Sequence, residues 1–118
     1  MRNQRFRKLI VWQKSIDFIE SIYRLTSKFP INETYGLISQ LRKAAVSVAL
    51  NIAEGSGAQS SIEFKRFLSI SLRSSYEVMC GVEIAQRLNY CSQENVDLLL
   101  CRCDEISAMI VGLKKNLP

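Results

Sequence analysis

The sequence predicts an all-α protein in which four helices form an up-down-up-down bundle. Apolar residues recur with helical spacing in four successive segments, short breaks containing Pro, Gly or Ser separate these segments, and no stretch alternates as a strand would. At 118 residues, of which 47% are hydrophobic, the chain is long enough for one domain with its own core. We assign residues 11–118 to this single four-helix-bundle domain and residues 1–10 to a basic amino-terminal arm.

The first predicted helix runs from about Val11 to Lys28 and carries two adjacent apolar stripes, which is more than one bundle seam requires. The stripes are Trp12, Ile16, Ile19 and Tyr23, and Val11, Phe18, Ile22 and Leu25. Phe29 and Pro30 close the helix. The short connection that follows makes it an antiparallel neighbour of the second helix.

The second predicted helix, from Tyr35 to Gly55, constrains the rest of the chain most. Asn32 is its expected cap, and Gly55 is expected to end it in a left-handed conformation. Its core face comprises Ile38, Leu41, Ala45, Val48, Ala49 and Ile52. The opposite face is polar but holds few charges, and comprises Gly36, Gln40, Lys43, Ser47, Asn51 and Glu54.

Glu54 lies in the last turn of the second helix, where the helix dipole disfavours a carboxylate. We expect an Arg or Lys of another helix or subunit to compensate it, in preference to a catalytic role. The same helix carries an additional apolar flank, made of Val46, Leu50 and Ala53. We interpret this part of the helix as an oligomer interface or a structural polar face. The residues assigned to it are Gln40, Val46, Ser47, Leu50, Asn51 and Glu54.

Two further helices complete the predicted bundle. Ser60 and Glu63 form a capping box at the start of the third, which extends to about Asn89. Small residues would let a neighbouring helix approach the third closely; they are Ser69, Ser71, Ser74, Ser75 and Gly81. Ser92 caps the fourth helix, and Lys114 and Lys115 suit its carboxyl end. The inward residues of this helix are Val96, Leu99, Cys103, Ile106, Ile110 and Leu113.

The residue types present argue against an enzyme. The cysteines form no CxxC pair, and the chain has no histidine to complete a zinc site. No phosphate-cradling glycine loop and no nucleophile with its base is recognisable. We therefore expect no catalytic residue, no metal and no cofactor. We also expect Cys80, Cys91, Cys101 and Cys103 to be free, mostly buried thiols in a reducing compartment.

The net charge of +5 indicates polyanionic partners. The amino terminus is especially basic, since five cations precede the first acidic residue, Asp17; they are Arg2, Arg5, Arg7, Lys8 and Lys14. The sequence is equally consistent with a solvated tail and with an arm that contacts phosphates. No apolar run is long enough to cross a bilayer and no secretory signal is recognisable, so we expect no membrane partner and a cytoplasmic location.

Residues spread over nearly the whole chain carry a family resemblance. The most specific is the segment QLRKAAVSV followed by NIAEG at residues 51–55, and further matching residues include Leu9, Val11, Trp12, Lys14, Tyr23, Phe29, Pro30, Tyr35, Gly36, Glu63, Phe64, Phe67, Leu68 and Ser74. On these residues the chain resembles the 23S rRNA intervening-sequence proteins, four-helix bundles also labelled S23 ribosomal protein. It departs from their pattern at Gln59, where a basic residue is frequent, and at Arg73, where a glycine is common.

The resemblance implies a bundle that assembles as a ring-like homopentamer and has no enzymatic activity. Such proteins are encoded in some bacteria within insertions in large-subunit rRNA genes. Related proteins are accessory factors of diversity-generating retroelements, where a similar basic pentamer binds nucleic acid and the reverse transcriptase.

Two functions are consistent with these features. The first is a homo-oligomer that binds RNA or DNA by charge and shape, because symmetry repeats the cations of each copy. The predicted nucleic-acid contacts are Arg2, Arg5, Arg7, Lys8, Arg42, Lys43, Lys65, Arg66 and Arg73. The alternative is an oligomeric protein-interaction scaffold, for example for a reverse transcriptase.

Overall fold

Four α-helices follow one another along the part of the chain that the structure, a computed structural model, describes, residues 4–118. They are α1 (Ile10–Thr26), α2 (Leu37–Ser56), α3 (Ser61–Arg87) and α4 (Gln93–Lys115). Short 3-10 turns precede α1 and α2, at Arg5–Lys8 and Ile31–Glu33. Each helix packs against the next, and α4 returns beside α1. The predicted up-down-up-down bundle is therefore confirmed.

The core lies along the axis of the bundle and receives one face of every helix. Its fully buried side chains include Ile22, Leu41, Ile52, Leu68, Val78, Val82 and Ile110. In α1 the stripe that begins at Val11 is buried, whereas Ile16 and Tyr23 of the other predicted stripe are exposed. Trp12 and Ile19 of that stripe are partly buried against the core, so only part of the second stripe is an apolar flank of the surface.

The amino-terminal end of α2 differs from the prediction. The helix begins at Leu37 and not at Tyr35, and Asn32 does not cap it because Asn32 lies inside the preceding 3-10 turn. Glu33 takes the capping role instead, since its carboxylate accepts a hydrogen bond of 3.1 Å from the Leu37 backbone N–H. A side chain four residues upstream thus satisfies one of the donors that a helix start leaves free.

The prediction for the carboxyl end of α2 was also wrong. The helix continues through Gly55 to Ser56, and no glycine of residues 4–118 has a left-handed conformation. A Cβ atom at Gly55 would lie 2.8 Å from Cδ1 of Phe64 and 2.9 Å from Cβ of Phe67. A glycine is required here because the first turns of α3 pack directly on the α2 backbone.

The small residues of α3 join this helix closely to both neighbours, as predicted. Ser71 donates a hydrogen bond of 2.8 Å to the Val48 carbonyl of α2, and the hydroxyls of Ser75 and Ser107 lie 2.8 Å apart between α3 and α4. A Cβ at Gly81 would lie only 2.6 Å from Cδ2 of Leu41. Hydroxyl pairing therefore accompanies the close packing of these helices.

The caps of α3 and α4 confirm the predicted starts of both helices. Ser60 accepts a hydrogen bond from the Glu63 N–H, and Ser92 accepts one from the Asn95 N–H, each over 3.2 Å. At its other end α3 stops at Arg87, before the predicted Asn89, because Asn89 adopts a φ of 64° that leaves the helix.

The thiols are less buried than predicted. All four are free, but only Cys103 is buried, while Cys91 is half-buried and Cys80 and Cys101 are exposed. Burial, together with the Asp104 carboxylate, raises the pKa of the Cys103 thiol to about 12, which makes this thiol inert. Within residues 4–118, no group of three or more metal-ligating side chains is placed to hold an ion. No helix in this range is long and apolar enough to span a bilayer.

A carboxylate and a phenol connect the two loops at one end of the bundle. The Tyr90 hydroxyl donates a hydrogen bond of 2.8 Å to Oε2 of Glu33, whose Oε1 accepts from the Leu37 N–H. These donors, first the Leu37 N–H and then the Tyr90 hydroxyl, hold the pKa of Glu33 below its usual value of 4.5. The hydrogen bond between Tyr90 and Glu33 also raises the pKa of the Tyr90 hydroxyl.

We expect Glu33→Gln to remove part of the acid sensitivity of the fold. Because the folded-state pKa of Glu33 is depressed, its stabilising contribution is present above the usual pKa of 4.5 and is lost as the pH falls through the folded value. In urea unfolding the variant should be less stable than the wild type at about pH 7, and the difference should be smaller at a pH well below 4.5.

Tyr90→Phe is the control for this prediction. It keeps the ring, whose centroid lies 5.4 Å from that of Phe29, and removes only the donor that has the smaller effect on the pKa of Glu33. At about pH 7, Tyr90→Phe should also be less stable than the wild type, but by less than Glu33→Gln is. A stability difference between Glu33→Gln and the wild type that is equally large at both pH values would contradict the stabilising role assigned to the ionised Glu33 carboxylate.

Candidate functional site

Positive charge gathers at one end of the bundle, which we call the basic end. The turn Arg5–Lys8 reaches this end because the Arg5 guanidinium lies 5.2 Å from the Phe64 ring centroid at the start of α3. The end of α4 reaches it because Lys114 Nζ donates a hydrogen bond of 2.6 Å to Ser69 Oγ. Seven cations belong to the basic end: Arg5, Arg7, Lys8, Lys65, Arg66, Lys114 and Lys115. The acidic side chains in the helix turns at this end are Glu63, in the first turn of α3, and Glu54, near the end of α2.

The predicted arm packs on the bundle wherever it is described. The Phe6 ring lies edge-on to Trp12, with 4.8 Å between centroids, and the Arg7 guanidinium lies 5.3 Å from the Phe6 centroid. The Gln13 amide donates a hydrogen bond of 2.7 Å to the Arg7 carbonyl. These contacts hold the cations of the turn against the body of the protein. Arg2, the remaining predicted contact of the arm, lies outside the described residues.

Three predicted nucleic-acid contacts lie away from the basic end. Arg42 is held at the carboxyl end of α1. Its Nε donates a hydrogen bond of 2.8 Å to Thr26 Oγ1, and its guanidinium lies 4.4 Å from the Tyr23 ring centroid. A cation at this position stabilises the α1 dipole, so Arg42 has a structural role that the sequence did not reveal. Lys43 and Arg73 are exposed, on α2 and in the middle of α3.

The cations of the basic end differ in how firmly they are held. Arg66 pairs with both carboxylate oxygens of Glu63, at 3.0 and 3.1 Å, which lowers the pKa of Glu63 and raises that of Arg66. Lys8, Lys65 and Lys115 make no ion pair with any residue of the range 4–118. These three lysines are the charges most available to an external anion.

An open groove of about 630 Å³ follows α2 and is bordered by Tyr23 of α1. Seven predicted site residues line it: Arg42, Lys43, Val46, Ser47, Leu50, Asn51 and Glu54. Its rim carries Tyr35, which is 97% exposed, and Leu50, which is 54% exposed. The predicted apolar flank of α2 is therefore open to contact. Gln40 lies outside this groove, in a smaller depression beside Glu77 and Cys80 of α3.

The polar residues of the α2 groove also serve the α2–α3 contact. Ser47 Oγ lies 2.8 Å from Ser74 Oγ. The Asn51 side-chain amide donates a hydrogen bond of 3.0 Å to Ser47 Oγ and one of 2.9 Å to the Ser47 carbonyl. Glu54 is exposed and forms no ion pair with another described residue. The predicted compensating cation is thus not supplied by residues 4–118, and a cation of another subunit stays a prediction.

Sequence reasoning missed Lys114 and Lys115 as members of the basic end. The sequence indicates only that they complement the carboxyl end of α4. Their proximity to the arm and to Lys65 arises because antiparallel helices bring the end of α4 beside the start of α3. The alternating direction of the predicted helices is the signal that could have found them.

Comparison with known proteins places this bundle in a family. Residues 7–112 match the family described as 23S rRNA-intervening sequence protein. The chain belongs to this family. The match confirms the resemblance drawn from the sequence, and it covers the bundle from within the arm turn to Gly112. Three cations of the basic end, Arg5, Lys114 and Lys115, lie outside the matched part of this 23S rRNA-intervening sequence protein.

A solved structure has the same fold. It is the crystal structure of a protein with unknown function from the S23 ribosomal protein family of Bacteroides thetaiotaomicron VPI-5482. It aligns with a TM-score of 0.80 and 25% sequence identity, over 91% of this chain and 100% of that chain. None of the curated proteins matches the chain.

Proposed function

We propose that this protein is a cytoplasmic, non-enzymatic, homo-oligomeric accessory protein that binds RNA or DNA through its basic end. The observation that carries the proposal is the convergence of seven cations from three segments that are distant in sequence. Each phosphate that such cations neutralise releases condensed counterions, so binding is driven by charge and falls steeply with salt. The binding needs no base contact, which agrees with charge- and shape-driven recognition.

Self-association would strengthen this binding. Exposed apolar side chains such as Tyr35 and Leu50 on the rim of the α2 groove favour a protein contact, and Glu54 would find a partner in a cation of a neighbouring copy. The family resemblance predicts five copies in a ring. A ring would repeat the basic end and convert a modest charge per chain into a multivalent surface.

The test is the salt dependence of RNA binding by a variant that lacks the three unpaired lysines, Lys8→Gln, Lys65→Gln and Lys115→Gln. If each lysine contacts one phosphate of duplex nucleic acid, the slope of log K against log salt should fall by about 2–3. Fluorescence anisotropy of labelled RNA between about 50 and 200 mM salt measures this slope.

A matched control removes the same charge from the opposite end of the bundle, with Arg24→Gln, Lys28→Gln and Arg87→Gln. Its slope should stay close to that of the wild type. Equal slopes for both triple variants would show that net charge acts without a localised site. Absence of RNA and DNA binding by the wild type at low salt would overturn the proposal.

The α2 groove favours a second candidate function, an oligomeric scaffold that holds a partner protein such as a reverse transcriptase. Its apolar rim and the uncharged hydrogen-bonding side chains in its lining, such as Ser47 and Asn51, are typical of protein contacts. Under this alternative the partner would co-purify, while tRNA, rRNA fragments and duplex DNA would all fail to bind at low salt.

A further inference from the structure

We infer that the basic end binds double-stranded nucleic acid in preference to single strands. The inference rests on the proposed function and names the class of ligand for the same site. It follows from two properties of the basic end: its aromatic rings already have cationic partners, and three of its seven cations are restrained by hydrogen bonds within the protein.

The aromatic rings of the basic end are poorly placed to stack on bases. The Arg5 guanidinium lies 5.2 Å from the buried Phe64 ring, that of Arg66 lies 5.1 Å from Phe67, and that of Arg7 lies 5.3 Å from Phe6. Proteins that bind single strands rely on aromatic faces on which successive bases stack. A base that approached these rings from the guanidinium side would have to displace a cation from its position.

Three of the seven cations are restrained by hydrogen bonds to neighbouring side chains. Glu63 holds Arg66 through both carboxylate oxygens, Ser69 accepts from Lys114 over 2.6 Å, and Gln4 Oε1 accepts from Arg7 Nε over 2.9 Å. A fixed array of charges suits a ligand whose phosphates are also fixed, as in a duplex. A single strand would lose conformational freedom when it was ordered on this array.

Charge density also favours a duplex. Double-stranded DNA carries one negative charge per about 1.7 Å of axis, and it releases more counterions per neutralised phosphate than a single strand does. The described part of the bundle is 44 Å long, and its cross-section, which limits the size of its basic end, measures 27 × 19 Å. The longer side would cover about eight base pairs at about 3.4 Å each, so phosphates of both strands would lie within reach of the basic end.

The test titrates the wild-type protein against a labelled RNA duplex of about 20 base pairs and against an unstructured single strand of the same length. The duplex should bind at least about fivefold more tightly at each salt concentration, with a steeper salt slope. Phe67→Leu, which removes a ring without changing charge, should leave both affinities within about twofold. If this variant does not fold, Phe6→Leu replaces it, and the readout is then the ratio of duplex to single-strand affinity, because Phe6 also positions the cations of the arm turn.

The outcomes separate this inference from the function on which it rests. Equal or tighter binding of the single strand would overturn the duplex preference and leave nucleic-acid binding intact. A selective loss of single-strand affinity in Phe67→Leu or Phe6→Leu would also overturn it, because a ring would then be stacking on a base. Failure of the wild type to bind either ligand would overturn both proposals.

Discussion

Replacing Phe64 with alanine is expected to lower the free energy of unfolding by about 3–5 kcal/mol. The ring is only 3% exposed and fills the space that Gly55 leaves on α2, while Arg5 lies over its face. Removing the ring would leave a cavity beneath the helix that the rigid α2 backbone cannot close. Urea unfolding followed by far-ultraviolet circular dichroism measures the loss.

Phe67→Ala is the matched control for the effect of burial. Phe67 also contacts Gly55, but its ring is only half-buried. Phe67→Ala should lower the free energy of unfolding by less than half as much as Phe64→Ala, because less apolar surface is returned to water. Comparable losses for the two variants would contradict the central role assigned to the Phe64 ring.

Replacing Gly81 with valine is expected to destabilise the bundle by about 2–3 kcal/mol. A Cβ at this position would lie 2.6 Å from Cδ2 and 3.1 Å from Cγ of Leu41. Leu41 is 1% exposed, so its side chain cannot turn into solvent to make room. The strain must therefore push α2 and α3 apart or distort a rotamer, and thermal unfolding should show a Tm lowered by roughly 10 °C.

The same substitution at Gly112 provides the control. Gly112 lies within α4, and apart from the adjacent residues and backbone of its own helix no heavy atom lies within 4 Å of a Cβ built there. Because valine has a slightly better helix propensity than glycine, Gly112→Val should change the stability by no more than about 0.5 kcal/mol. A large loss at Gly112, or none at Gly81, would show that close helix packing does not govern these positions.

The number and order of the helices were predictable because each helix depends on spacing within its own segment. The α2 core residues Leu41, Val48 and Ile52 share one face by periodicity alone, and the caps Ser60 and Ser92 act on residues three positions away. Local signals of this kind require no knowledge of tertiary structure.

Features that depend on distant partners could not be predicted in this way. The sequence offers two equivalent apolar stripes on α1, and only packing against other helices decides that the stripe of Val11 is buried. Gly55 has the signature of a helix end, yet its role depends on the ring of Phe64, nine residues later. Arg42 looks like a free surface charge until Thr26, sixteen residues earlier, is placed beside it.

In the candidate site, too, some features could be predicted from local sequence and others depend on distant partners. The cations Arg5, Arg7 and Lys8 form a recognisable cluster in the sequence, and the structure brings Lys65 and Arg66 to the same end of the bundle. Lys114 and Lys115 join them only through the chain topology, while Lys43 and Arg73 lie elsewhere.

The edge-on contact between Trp12 and Phe6 has a practical consequence. Trp12 is the sole tryptophan of the chain, and its indole lies between α1 and the arm turn. Its intrinsic emission thus senses the polarity of the environment that the arm creates. Detachment of the arm would expose the indole to water and move that emission to longer wavelength, so the chain carries its own optical reporter of arm position.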